Sequence, residues 1–123
     1  MICYKVVSVL DNEDLGSAMV YPSSLFFRKY GPEIIVDNGM VFKNLDYARN
    51  FALKFVDSYD LQIWKCNCSN PRKLTWILDI FEYMDHTFID FWNTKNRGRF
   101  PKAYCAPVGT YHARNIQLTE RIF

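Results

Sequence analysis

The sequence predicts a single α+β domain, residues 1–123, with a mostly antiparallel sheet of five to six strands and two helices, the second long, at about 72–93. Strand-like runs separated by turn residues fill the first half of the chain. An amphipathic helical pattern follows them, and residues 72–93 contain neither Gly nor Pro. Because 50% of the residues are hydrophobic and 17% are aromatic, we expect a packed core rather than disorder.

The strands of the first half are predicted from β-branched and aromatic content with flanking turn residues. They are residues 2–10, 17–21, 25–30 and 40–42. The first carries little charge, so we expect it to be buried on both faces and to form a hairpin with the second. Asn38-Gly39 predicts a turn before the fourth strand, because both residues accept positive φ at low cost.

The first helix is predicted from about Leu45 to Val56, with Asn44 as the N-cap and Asp46 in the first turn. A strand follows from Leu61 to Cys68, and Asn70-Pro71 is expected to end it. The chain closes with one or two strands between Val108 and Leu118.

The long second helix is predicted to begin at Pro71, which suits the first helical position. One apolar stripe at helical spacing would dock it on the sheet. Its members are Leu74, Ile77, Leu78, Phe81, Met84, Phe88 and Trp92. A second stripe consists of Trp76, Ile80, Tyr83 and Phe91. Since one sheet does not easily cover two stripes, the second predicts a contact surface for a partner protein or for a second copy of the chain, as in a homodimer.

A basic loop after the long helix is the best polar candidate for binding. Its charged and aromatic members are Lys95, Arg97, Arg99, Phe100 and Lys102. Arg with a neighbouring aromatic residue suits phosphate contact and base stacking, and equally suits an acidic protein surface or a solvated loop. Arg72 and Lys73 would lie ~30 Å away along a straight helix, so we do not expect them to join the loop.

The cysteines and histidines provide weak candidates for chemistry. Cys66 and Cys68 share one face of a strand, and Cys3 and Cys105 could approach them. A structural zinc site normally has a second closely spaced ligand pair, which the sequence lacks, so we expect structural, unmetallated thiols. His86 is spaced at helical intervals from Glu82 and Asp90, as on the solvated face of an amphipathic helix.

Catalysis has no recognisable motif in this chain. His86 and His112 are its only imidazoles, and there is neither a Gly-x-Ser-x-Gly elbow nor a Gly-rich phosphate loop. We therefore expect a protein that is not an enzyme and that uses no cofactor.

Charge and hydropathy bear on location. The net charge is only +2, so no global field indicates nucleic acid. No apolar run reaches the ~20 residues that a bilayer requires. The chain begins with a strand-like segment rather than a signal peptide, so we expect a cytoplasmic protein of the host cell with reduced thiols.

Several short segments carry a resemblance to known proteins. They are residues 4–7, 41–52, 63–66 and 107–110. The chain resembles small uncharacterised domains of phages, large viruses and mobile elements. This resemblance implies a viral or phage context, in which small proteins without catalytic motifs are often inhibitors of host defence. The order of the first elements is also similar to small ADP-ribosyltransferase-like folds, with Lys5, Ser17 and Glu120 as the loose counterparts of their site residues.

Three functions follow as hypotheses. The first is a non-enzymatic inhibitor that blocks a host defence protein or nucleoprotein, of the anti-CRISPR type, through the aromatic helix and the basic loop. The second is a binder of nucleotides or short nucleic acid, including sequestration of a signalling nucleotide, with Trp76, Tyr83, Phe91 or Trp92 stacking on bases. The third is a small ADP-ribosyltransferase-like enzyme.

Overall fold

The computed structural model describes residues 1–10, 12–18, 27–55, 60–78, 89–90, 92–95, 97–99 and 103–123. Most of this part of the chain is β-structure. Its strands are β1 (Ile2–Val9), β2 (Leu15–Ser17), β3 (Lys29–Tyr30), β4 (Gly39–Phe42), β5 (Leu61–Lys73), β6 (Trp76–Leu78), β7 (Ala103–Cys105) and β8 (Thr110–Arg121). Its helices are α1 (Leu45–Leu53) and a short 3₁₀ helix, Arg97–Arg99.

Four strands close into a small antiparallel barrel. β1 pairs with β4, β4 with β8, β8 with β5, and β5 returns to β1. β2 and β3 extend the sheet beyond β1, which gives six strands in all. The predicted antiparallel α+β class is therefore correct at this level, and closure gives each of the four barrel strands a partner on both sides.

The interior of the barrel is the main core. Alternate residues of a strand point to the same face, so Cys3, Lys5 and Val7 of β1 are all buried. Together with the other strands they enclose a continuous apolar cluster. Its buried members are Cys3, Val7, Tyr30, Val36, Val41, Cys66, Cys68, Ala113, Ile116 and Leu118.

Helix α1 covers the outside of the barrel. Asn44 caps it as predicted, because the Asn44 side chain accepts a 2.8 Å hydrogen bond from the backbone N–H of Asp46. Ala48, Phe51 and Ala52 face the sheet and pack with Val6, Phe42 and Ile63. β1 is thus buried on both faces, as expected: one faces the barrel interior and the other faces α1.

The seam between β5 and β8 is irregular. Its register shifts between Lys65 and Cys66, between Asn67 and Ser69, and between Ser69 and Arg72. Asn70 and Asn115 take left-handed backbone angles there, with φ of 48° and 52°. The predicted end of the strand at Asn70-Pro71 is therefore wrong. The register shift between Ser69 and Arg72 accommodates Asn70 and Pro71 within the strand, since a proline can occupy a bulge where no ladder N–H is needed.

The prediction of a second, long helix at about residues 72–93 is not supported by the described residues, and its start is wrong. Arg72 and Lys73 are the last residues of β5, and Trp76–Leu78 forms β6, which pairs with β7. Ile89–Asp90 and Trp92–Asn93 are helical, whereas residues 79–88 and 91 lie outside the described part. A short apolar run reads equally well as helix or strand, and here the pairing with Ala103–Cys105 decides in favour of strand.

The predicted hairpin is present, but its second strand is Leu15–Ser17 instead of residues 17–21, and the predicted turn at Asn38 is confirmed. β1 pairs with β2 from Val7 opposite Ser17 to Val9 opposite Leu15. Asn38 takes a φ of 66° directly before β4.

Within the described ranges no helix has both the length and the apolar character needed to cross a membrane.

Candidate binding surface

Two tryptophans hold the predicted basic loop against the rest of the molecule. A Cβ atom on Gly98 would lie only 2.8 Å from Cε2 of Trp76, so the glycine lets the backbone rest directly on the indole ring. Arg97 lies over Trp92, with its guanidinium carbon 4.8 Å from the ring centroid. Its Nη2 also donates a 3.0 Å hydrogen bond to the Trp92 carbonyl. This end of the loop is therefore anchored.

Trp92 connects the loop to the barrel. Its ring centroid lies 5.7 Å from that of His112 on β8, and the two planes are tilted by 36°. His112 lies opposite Arg72 in the β5–β8 register. The chain therefore brings Arg72, His112, Trp92 and Arg97 together, although they come from three separate segments.

The expectation that Arg72 and Lys73 lie far from the loop is wrong, because these residues do not begin a helix. Both are exposed at the end of β5, and Lys73 lies opposite Tyr111. Lys43 lies over that same tyrosine, with its Nζ 4.5 Å from the ring centroid. Lys73, Tyr111 and Lys43 lie on the face of these strands opposite to Arg72 and His112, because successive side chains of a strand alternate in direction. We call the set on the His112 side the cationic–aromatic surface. Its members are Arg72, Trp92, Arg97, His112 and Arg114.

Burial and the positive charge of this surface together change the pKa of His112. Partial burial lowers the pKa of His112, and the neighbouring positive charge of Arg97 lowers it further; Asp37 acts in the opposite direction, and Arg114 and Arg72 also lower it. The imidazole is therefore neutral at pH 7, and the positive charge comes from the arginines around it.

Arg114 is tied to the loop before β4. Its Nε and Nη2 donate to the two carboxylate oxygens of Asp37 at 3.0 and 2.9 Å, and this pairing lowers the pKa of Asp37. The next residue, Asn115, donates a 2.9 Å hydrogen bond to Ser69 on β5. These bonds fix the bulged part of the seam beside the surface.

The predicted site residues differ in where the structure places them. Trp76, Trp92 and Arg97 are brought together, as described above, whereas Lys95 is exposed beside them. Arg99 is described only as part of the 3₁₀ helix. The remaining predicted residues lie outside the described part; they are Tyr83, Phe91, Phe100 and Lys102.

The sequence interpretation missed the contribution of β8. His112 and Arg114 are two residues apart and both face outward, whereas Ala113 between them is fully buried. That alternation was visible in the sequence, but only the barrel shows that it faces the basic loop.

The cysteines lie elsewhere. Cys3, Cys66 and Cys68 are buried in the barrel, and Cys105 on β7 is exposed; all four are free. Burial and the neighbouring Cys68 raise the pKa of both Cys3 and Cys66 to about 12. No group of three or more potential ligands is arranged for a metal ion among the described residues. His86 and Glu82 are not part of that description.

The residues matched to ADP-ribosyltransferase-like enzymes have structural contacts of their own. Lys5 is buried and donates a 2.7 Å hydrogen bond to the Met40 carbonyl. The Ser17 hydroxyl accepts from the Arg28 backbone N–H at 2.8 Å. Glu120 is exposed near the end of β8. These contacts do not assemble the three residues into one open site.

No family model, curated protein or solved structure matches the chain.

Proposed function

We propose that the protein is a non-enzymatic binding protein, of the phage inhibitor type, that blocks a host defence nucleoprotein through the cationic–aromatic surface. An anti-CRISPR role is the concrete form of this proposal. The partner would present phosphates or carboxylates to the surface.

One observation carries the proposal. Arg97 packs on Trp92, Trp92 packs on His112, and Arg72 lies opposite His112. Cations from three chain segments are thus collected around one aromatic pair on a rigid barrel. Arg and Trp are the residue types that most often dominate interface energies, and a preordered surface loses little entropy on binding.

The contacts of Trp92 favour a nucleoprotein over a free nucleotide. A nucleotide-binding site of the predicted kind needs an open aromatic face for base stacking. The Trp92 ring is half-buried and already in contact with Arg97 and His112. The guanidinium groups around it are suited to the backbone of a larger anionic partner.

The chemistry of the described residues supports a role without catalysis. Cys3 and Cys66 have pKa values raised to about 12, so these buried thiols stay protonated and are poor nucleophiles at neutral pH. Asp37 is the carboxylate whose charge raises the pKa of His112, and it already accepts two hydrogen bonds from Arg114. It therefore does not orient the imidazole as a general base.

The proposal can be tested by phage plating in bacteria that carry active CRISPR–Cas systems of several types. Expression of the protein should restore plating of a targeted phage in at least one of them. A variant with Arg72→Glu and Lys73→Glu should lose this effect, since both side chains are exposed and Arg72 lies on the surface. A control with Lys29→Glu and Lys54→Glu makes the same change in net charge elsewhere and should keep it.

Binding of the purified protein to the affected nucleoprotein provides the second measurement. The affinity should fall steeply with salt, and the Arg72/Lys73 variant should bind at least about tenfold more weakly, as expected when phosphate contacts are lost. Equal loss in both double variants would assign the effect to net charge. Absence of inhibition in every system would overturn the anti-CRISPR form, and full activity of the Arg72/Lys73 variant would overturn the assignment of the surface.

A further inference from the structure

Two buried thiols meet across the seam between β1 and β5. The Sγ atoms of Cys3 and Cys68 lie 2.7 Å apart, closer than two unbonded sulfur atoms ordinarily approach. Cys3 is fully buried, and Cys68 is only 5% exposed. Hydrogen bonds hold their strands together at this point, because the Cys68 N–H donates to the Met1 carbonyl and the Met1 amino group donates to the Cys68 carbonyl.

The geometry selects this pair from the three thiols in the barrel. Cys66 and Cys68 are neighbours on one face of β5, which places their Cα atoms about 7 Å apart, at the limit for a disulfide. Cys66 lies directly opposite Cys3, yet the side chain of Cys3 meets Cys68. Cys105 is exposed on β7, outside the barrel.

We propose that Cys3 and Cys68 are an oxidisable pair that forms a disulfide and locks β1 to β5 when the protein meets a peroxide. This proposal does not depend on the binding surface or on its partner.

The reaction balances with hydrogen peroxide as the oxidant. The sulfur of one thiol attacks the peroxide, the O–O bond breaks, and a sulfenic acid and one water form. The second thiol then attacks the sulfenic sulfur, the S–S bond forms, and a second water leaves. Two electrons pass from the thiols to the peroxide, and the two thiol protons leave in the water molecules.

The location of Cys3 explains how the oxidant reaches a buried thiol. Cys3 follows Met1 and Ile2, which are 63% and 54% exposed, so opening of the first few residues of β1 would expose it. Burial raises the pKa of Cys3 to about 12, so the closed barrel holds it as an unreactive thiol. We therefore expect oxidation to be slow in the closed state and faster when the end of β1 opens.

The bond would stabilise the fold by restricting the unfolded chain. Cys3 and Cys68 are 65 residues apart in sequence, which makes a long loop on cross-linking. The melting temperature of the oxidised protein should be higher by on the order of 10 °C.

Intact mass and peptide mapping after peroxide treatment test the proposal. When the oxidised protein is denatured and alkylated without reductant, only two of its four cysteines should be alkylated, because the other two form the disulfide. Before alkylation, its mass should be lower by about 2 Da, the two hydrogen atoms lost by a dithiol. Proteolysis should yield one linked pair of peptides that joins Cys3 to Cys68. Reductant should reverse both the mass change and the rise in melting temperature.

Matched variants separate this pair from general oxidation. Cys66→Ala and Cys105→Ser should still form the bond, whereas Cys3→Ala and Cys68→Ala should not. Four alkylated cysteines in the treated wild-type protein would overturn the proposal, and so would a linkage through Cys66 or Cys105 in its place. The wild-type mapping decides the question even if a variant fails to fold.

Discussion

Strand β5 forms two seams of opposite character. Along β1 it keeps an unbroken register, from Ile2 opposite Asn67 to Ser8 opposite Leu61. Along β8 the register shifts three times, and Asn70 and Asn115 adopt left-handed angles. The regular seam carries buried side chains on both faces, whereas the irregular seam presents His112 and Arg114 to the outside.

The regular seam of β5 contributes to the packed core, whereas its irregular seam carries the surface that we propose for binding. Regular pairing maximises packing, so the β1–β5 seam lies between the barrel interior and α1. Bulges turn a strand and redirect its side chains, and they are common beside binding sites. The irregular seam is therefore where this small barrel can present charged groups around Trp92 without placing them in the core.

The largest expected effect tests whether the irregular seam also supports the core. Leu118 lies opposite Cys66, and it is only 1% exposed. Leu118→Ala should lower the free energy of unfolding by about 2–5 kcal/mol, because it leaves a cavity in the barrel. Denaturant unfolding measures this, with the exposed neighbour Glu120→Gln as a control within about 0.5 kcal/mol of wild type. A loss below 1 kcal/mol for Leu118→Ala would show that this seam contributes little to packing, on the scale of core substitutions.

Local signals predicted the regular part of the fold. The cap at Asn44 and the apolar alternation in β1 act within a few residues, so they can be read from the sequence. The path of β5 through Pro71 and the strand at Trp76–Leu78 depend on partners in β8 and β7, 25 or more positions further along the chain. Local periodicity does not contain that information, and it favoured a helix instead.

The next effect tests the bulge itself. Asn115 has a φ of 52°, a conformation that a β-branched residue adopts only under strain. Asn115→Val should therefore reduce stability by about 1–3 kcal/mol. Asn115→Gly relieves the backbone strain and loses only the bond to Ser69, so it should be the milder change. Denaturant unfolding of the two variants decides this; equal stability would indicate that the backbone angle relaxes and the bulge is not fixed.

Only part of the candidate surface could be predicted from the sequence, because local patterns do not show which distant strands pair. Arg97, Trp92 and Trp76 stand out by residue type and by their place in or near a basic loop. Arg72 and His112 join them only because two distant strands pair at that point. Side-chain chemistry could thus be proposed from the sequence, but the set of residues that share one surface required the barrel.

A smaller effect concerns pH and His112. Its native pKa lies below the ordinary value of 6.5, so the unfolded chain takes up the proton first as the pH falls. The stability that the neutral imidazole contributes is therefore complete above about pH 6.5 and is lost as the pH falls through the native pKa. His112→Gln should flatten this part of the pH profile of the melting temperature. An unchanged slope between pH 7 and pH 5 in the variant would assign that slope to other groups.

The smallest effect concerns the ion pair that holds the loop before β4 to the irregular seam. Arg114 lowers the pKa of Asp37 below the usual 3.8, so the stability from this pair is present above pH 3.8 and is lost as the pH falls through the native pKa of Asp37. Asp37→Asn should lower the melting temperature slightly at pH 7 and by less as the pH falls below 3.8, and salt should weaken the effect, since both partners are half-exposed. Asp14→Asn is the matched control, because its 3.7 Å contact with Lys29 is exposed and not bidentate, and it should cost less.

The backbone bonds between Val36 and Ile116, at 2.9 and 2.7 Å, hold the same loop independently of charge. If Asp37→Asn instead weakens partner binding as strongly as the Arg72→Glu, Lys73→Glu variant, then the ion pair positions Arg114 for recognition, and the irregular seam contributes to binding through its bulge as well as through its exposed cations.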